Sequence, residues 1–430
     1  MCKKLFLFIA VVISIDLSAQ DTSYMRYILK QLTSEKFYGR GYSFRGDSIA
    51  ANFIRDELKY QGVKPLGDNY FQNYTFSTFS MEGPLSLVIN GKTLKPYDQY
   101  RVPAWSKSTW GSFKVMQVPC ETLVNPDKLK RLLKKHNALL SDAFVYVDAT
   151  QSKTLNDTER EELKKQLQNL RRRNPFNSRG IVVGVDELST YSPANTEYEH
   201  GYAFIEVLRS ALPNAFDELK CTIFTQFHPN YKTQNICAYV PGEVDSIIVF
   251  TAHYDHLGTM GDSVVFYGAH DNASGVAALM DLAHSAMRVQ PYYTHVFCFF
   301  SGEEAGLRGS KYMSEHPLFD LKKVRLLVNI DMFCGGDEGL MVFNANDPKV
   351  DFFVKRLENL NKTLHIAPEI RRRDNRANSD HYYFSSKVPS LFILTMGQRY
   401  GGYHSPYDKC DACGLEHYVN YLTLISSLAM

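Results

Sequence analysis

Charge of one sign is what this chain most clearly lacks: 48 Lys and Arg stand against 46 Asp and Glu, a net of +2. That balance excludes the broad basic field that holds a nucleic-acid backbone or an anionic membrane, and it leaves the short runs Arg171-Arg172-Arg173 and Arg371-Arg372-Arg373 as solvated surface. Internal repeats and low-complexity tracts are also missing. So is any apolar run approaching the about 20 residues of a membrane-spanning helix, so no membrane span is expected.

What is present begins with a leader-like segment. Met1-Cys2-Lys3-Lys4 precedes an apolar stretch over 5–15 and then Ser18-Ala19-Gln20, the charged, apolar and small-residue order of an export signal, with cleavage expected near Ala19. Residues 1–20 are accordingly read as a signal peptide, and the mature chain as secreted or periplasmic. Loss of Cys2 leaves an odd number of cysteines, so at least one thiol stays unpaired within the chain. Cys410 and Cys413 have the spacing of a local disulfide in an exported protein, and Cys298, inside an apolar run, reads as a buried thiol.

At 430 residues the chain is long enough for two or three lobes. Helices are expected around 25–32 and over 49–58, where Ile49, Phe53, Ile54 and Leu58 share one face before Gly62. Between 100 and 232, short strands such as 144–147 and 181–184 flank a charged helical stretch over 157–173, a texture that predicts an inserted lobe. From Asn235 onward strands and helices alternate. That pattern predicts an α/β domain formed by 21–99 and 233–430: a largely parallel mixed sheet covered by helices on both faces. Its buried strands are expected at 246–251, 295–300, 324–330 and 390–395. A helix with Val276, Leu279, Met280 and Ala283 on one face is expected to be capped by Asn272 or Ser274.

In such sheets functional groups collect beyond the carboxyl ends of the strands. The four strands lead into Ala252-His253-Tyr254-Asp255-His256, Ser301-Gly302-Glu303-Glu304, Asp331 and Tyr403-His404, and His270-Asp271-Asn272 precedes the helix. One histidine or one Glu pair after a strand is usually a hydrogen-bonded rim residue. Five mixed imidazole and carboxylate groups on one rim fit zinc, which accepts N and O donors, and two ions would be needed to use them all.

The order His253-Tyr254-Asp255, Gly268 to Gly275, Gly302 to Ser310, Asn329-Ile330-Asp331, Ser379-Asp380-His381 and Tyr403-His404 resembles the two-zinc exopeptidases typified by secreted bacterial leucyl aminopeptidases. The resemblance covers Asn235 to the C-terminus and, more loosely, the first hundred mature residues. It implies a zinc aminopeptidase fold with two zinc ions per chain and peptide substrates. Asp271 would bridge the metals, with Glu304 and His404 completing one site and His253 and Asp331 the other. Glu303 would be the uncoordinated general base that takes a proton from the bridging water. Asp255 would orient His253; Asp380 and His381 would support the site or line the substrate pocket; Tyr403 would hydrogen-bond the tetrahedral intermediate or simply pack. His256 and His270 depart from the pattern, and His270 leaves open an altered pocket or a competing ligand. The inserted lobe resembles the protease-associated insert of many relatives and would roof the cleft or restrict substrate size. Two other activities share this fold: glutaminyl cyclisation, and non-catalytic binding as in transferrin-receptor-like ectodomains. The hydrolase-like forms of 271–275 and 302–310, and the complete ligand set, favour the aminopeptidase.

Overall fold

Apolar residues at helical spacing make the first two elements, α1 (Thr22–Leu32) and α2 (Gly46–Tyr60). They bury Met25, Ile28, Leu29 and Leu32, and Ala50, Ala51, Ile54 and Leu58. The computed structural model describes residues 22–67, 69–192, 199–397 and 402–429, so the leader over 1–20 lies outside the described residues.

The main sheet contains β1 (Phe71–Ser80), β2 (Gln226–Val240), β3 (Val244–His253), β4 (Tyr293–Phe300), β5 (Val324–Ile330), β6 (Gly339–Phe343), β7 (Ile370–Arg372) and β8 (Ser390–Met396). Their order is β2-β4-β3-β5-β8-β6-β7, with β1 and the short pair Lys64–Pro65 also on β2. β4, β3, β5 and β8 run parallel to one another, whereas β2 against β4, β1 against β2 and β6 against β8 are antiparallel. The four expected buried strands are this parallel centre. Successive residues alternate between two cores: Ile248, Phe250 and Ala252 of β3 face one side, and Ile247 and Val249 the other. α1, α2 and α3 (Ser274–Arg288) cover the first side, and Met313 and Phe384, from the short helices Arg308–Glu315 and Tyr382–Ser385, pack on the second. The architecture is mixed α/β.

Three local expectations are corrected. The residue that caps α3 is Ala273, whose side chain has no acceptor; Asn272 instead accepts the Gly275 N–H at 2.9 Å from one position further out, and Ser274 donates to the His270 carbonyl. Cys413 is bonded to Cys334, 79 residues away, and Cys410 is free, because Cys410–Ala412 forms a helical turn and the Cα of Cys334 lies 5.3 Å from that of Cys413. Arg171 is not merely solvated: it pairs with the buried carboxylate of Glu206. Cys298 is buried and free.

A second sheet draws strands from Ser86–Ile89 to Glu218–Ile223. Its centre, Thr109–Gln117, Phe144–Asp148, Gly180–Val185 and Ala203–Leu208, is parallel, and the helices Pro126–Leu140 and Asp157–Leu170 lie between these strands in sequence. One of its two cores is closed by Leu257, Met260, Val264 and Phe266, the segment just beyond His256. The second sheet is therefore packed directly against the loop that leaves β3.

Candidate metal centre

Because β3, β4, β5 and β8 are parallel, their carboxyl ends bring separate loops to one edge. β3 ends on His253 itself, β5 is followed at once by Asp331, and the turn after β4 needs Gly302 at φ +72° before Glu303 and Glu304. Asp271 lies in the wide turn Ala269–Ala273 ahead of α3, and His404 follows β8.

The side chains meet. His253 Nε2 lies 3.2 Å from Asp271 Oδ1 and 3.2 Å from Asp331 Oδ1. His404 Nε2 lies 3.2 Å from Asp271 Oδ2 and 3.2 Å from Glu304 Oε2. The two oxygens of Asp271 thus face two different imidazoles. The other ring nitrogens settle the tautomers, since a backbone carbonyl only accepts: His253 Nδ1 donates to Asp255 O at 3.0 Å, and His404 Nδ1 to Tyr191 O at 2.9 Å. Each Nε2 then presents a lone pair to two carboxylates, which repel it unless a cation lies between them. Four donors around zinc at about 2.0 Å stand about 3.3 Å apart along a tetrahedron's edge, close to the spacing seen. The residues fit a divalent cation on each side of Asp271.

Charge follows the same plan. Against the upward push of burial, His253 and His404 hold the Asp271 carboxyl well below its ordinary range, and His404 and His256 hold Glu304 down at about 2. Burial alone would lower His404, but Glu304 and Asp271 raise it to about 11: the cluster demands positive charge. Glu303 goes the other way. Burial pushes its carboxyl well up; His253 opposes this, while Glu304, Asp331 and Asp380 add to it. One Glu303 oxygen comes within 4.8 Å of the His253 and Asp331 donors, near enough to exchange a proton with a group held there.

His256, Asp271 and Glu304 also converge within 4.8 Å, but His256 Nδ1 is 4.0 Å from Asp271 and spends its proton on Glu304 Oε1 at 2.8 Å. It holds the second oxygen of Glu304, while His404 faces both carboxylates. The Asp255 carboxylate lies 3.7 Å from His253 Nδ1, too far for a good hydrogen bond; it takes the Glu303 N–H at 3.1 Å, the Glu304 N–H at 3.4 Å and the Tyr42 hydroxyl at 2.9 Å. Asp331 is oriented by Ser379, whose hydroxyl donates to Oδ2 at 2.7 Å. Asp380 is buried behind it, its carboxyl pushed up to about 7 by burial. His381 packs on Phe392, lowered to about 4 by burial. His270 is taken up by structure: its Nδ1 accepts the Cys334 N–H at 3.1 Å. Tyr403 is 53% exposed and stacks on His404 at 3.9 Å.

Two further groups were not anticipated. Arg40 is fully buried and donates to the carbonyls of Leu32, Tyr254, Tyr267 and Gly268 at 2.7–3.0 Å, with Asp271 O at 3.4 Å. Asp408 accepts the N–H groups of His270 at 2.8 Å and Asp271 at 3.1 Å. Together they satisfy the backbone around Asp271 from both sides. The only hint in the sequence is an arginine between two glycines, Gly39-Arg40-Gly41, and an aspartate four residues after His404.

Residues 235–429 match the profile of Peptidase family M28. A "Probable leucine aminopeptidase" of Arthroderma otae is 26% identical over 240 residues, 54% of this chain and 66% of that one. Another of that description, from Trichophyton verrucosum, is 27% identical over 186 residues, 51% of its length, so the chain spans between half and two thirds of these relatives. Among solved structures, BSAP, a zinc aminopeptidase from Bacillus subtilis, aligns with TM-score 0.66 at 16% identity over 94% of both chains. A Peptidase M28 precursor from Shewanella amazonensis aligns with TM-score 0.64 at 16% identity, covering 96% of this chain and 93% of that one. At these identities the likeness establishes a shared fold.

Proposed function

We propose that the protein is a zinc-dependent M28 aminopeptidase that removes N-terminal residues from peptides, with two ions held by His253, Asp331, Asp271, Glu304 and His404. The observation that carries this reading is the division of Asp271, one oxygen 3.2 Å from each of two imidazoles, with Glu303 uncommitted beside them. Zinc bound there would polarise the scissile carbonyl and make water a stronger acid.

Within the chain, Glu303 takes a proton on a carboxylate oxygen from the attacking water and returns it to the leaving amine. Its raised pKa suits a group that must hold a proton between the two steps. Asp255 fixes the turn that aims Glu303, and His256 with His404 keeps Glu304 in place. Tyr403, half exposed and stacked on His404, would donate its hydroxyl to the oxygen on which negative charge develops. Asp380 and His381 support the floor of the site.

The names of the relatives support an aminopeptidase, and the leader-like segment supports an exported chain. No helix among the described residues is long and apolar enough to cross a membrane. Incubation with matched free and N-acetylated peptides tests the proposal: release of the first residue from the free peptide alone, with two zinc ions per chain by metal analysis, is expected. Pyroglutamate formation without hydrolysis, or equal cleavage of blocked peptides, overturns it.

A further inference from the structure

The two imidazoles of the centre are held by unlike means. His253 donates its Nδ1 proton to a carbonyl two residues along its own loop, Asp255 O. His404 donates to Tyr191 O, 213 residues away, on the connection between Gly180–Val185 and Ala203–Leu208 of the second sheet. His404 has φ +51°, a left-handed conformation disfavoured for a residue with a β-carbon, so contacts outside its own backbone must hold it.

Those contacts close a circuit. Tyr191 is buried and stacks on Phe266 at 4.6 Å and 10°. Phe266 meets the edge of Tyr97 at 5.6 Å, and the Tyr97 hydroxyl reaches back to His404 O at 3.4 Å. Two residues before Tyr191, the Ser189 N–H donates to Glu206 of the strand Ala203–Leu208 at 3.3 Å, which ties the Tyr191 carbonyl to the second sheet.

We infer that the second lobe is a working part of the metal centre: the Tyr191 carbonyl decides which nitrogen of His404 faces Asp271 and Glu304, and so sets the affinity of the ion on that side alone. Tyr191 is a positioning residue, acting through its backbone oxygen, with its ring as the anchor. The stack of its ring on Phe266 is expected to suffice as that anchor. The inference rests on the two-zinc reading above.

Zinc titration in competition with a chromophoric chelator tests it on wild-type chain, Tyr191→Phe and Tyr191→Gly, with unfolding midpoints measured alongside. Tyr191→Phe keeps the stack and is expected to bind both ions as wild type does. Tyr191→Gly frees the carbonyl and is expected to weaken one ion at least about tenfold while leaving the other unchanged, the loss typical of a group that orients a ligand. In a histidine-labelled NMR spectrum the His404 Nδ1–H resonance, sheltered in wild type, is expected to broaden or vanish in that variant. If Tyr191→Gly does not fold, Tyr191→Leu, which keeps bulk without the stack, is read the same way. Two ions bound with unchanged affinity, or both weakened in parallel, would overturn the inference. Wild-type chain that binds fewer than two zinc ions overturns the two-zinc reading instead, and the two failures are told apart by the wild-type titration alone.

Discussion

The carboxylate of Asp255 accepts the backbone N–H of Glu303 at 3.1 Å, and its second oxygen lies 3.4 Å from that of Glu304. One side chain therefore fixes the turn from which the proposed base and a proposed ligand diverge. Asp255→Ala leaves two N–H groups of a partly buried turn without that partner, at about 1–3 kcal/mol each. A fall in kcat of at least tenfold is expected, larger than the change in KM, because the base is misplaced while the substrate cleft is untouched. Unchanged kcat in steady-state assays would show that the turn holds itself.

Glu303→Gln preserves shape and removes the proton acceptor. Two zinc ions are expected to remain by metal analysis, with kcat lowered by about 10² to 10⁴. Near-normal turnover refutes its role as base.

Away from the centre, Asp47 gives a signature in stability against pH. Burial raises its carboxyl from 3.8 to about 6, although Tyr231 and Thr233 donate to it at 2.6 Å and 2.8 Å. The fold prefers the protonated form, so this stabilisation is complete below pH 4 and is lost as pH rises towards 6. A shift of about two units corresponds to roughly 3 kcal/mol. Asp47→Asn stays neutral, and its stability relative to wild type is expected to improve by up to that amount between pH 4 and 7 in urea unfolding. A pH-independent difference contradicts the raised pKa.

Cys334 and Cys413 tie the segment after Asp331 to the segment after His404. The double variant Cys334→Ser with Cys413→Ser is expected to lose about 2–5 kcal/mol and to become insensitive to reductant. Cys410→Ser should leave the midpoint unchanged. A reductant-sensitive midpoint in the double variant would mean that another pair is bonded.

Arg40 offers several fixed donors to carbonyls of separate segments, and an ammonium has three donors in a different geometry. Arg40→Lys is therefore not conservative. It is expected to lower zinc affinity at least about tenfold by loosening the turn that carries Asp271, as measured by chelator competition. Wild-type affinity would show that Asp408 holds the turn unaided.

What could be read from the letters was whatever acts through its own side chain just past an apolar strand. His253, Glu303, Glu304 and Asp331 stand in that position, and the strands that deliver them are long enough to be recognised. The groups that hold them were not legible. Arg40, Asp408 and Tyr191 work through backbone carbonyls and N–H groups, which every residue has, so no residue type marks the partner. Asp255 shows the same limit: a position two residues from His253 suggests a bond to the ring, whereas its carboxylate turns to the Glu303 and Glu304 amides. Cys413 likewise has a near neighbour at readable spacing and a true partner 79 residues back.

The proposed ligands are spread from position 253 to 404 of a 430-residue chain. Asp271 is the one proposed ligand common to both halves, each oxygen facing a different imidazole, so losing its carboxylate would remove a donor from both halves at once, whereas losing either imidazole would open only one.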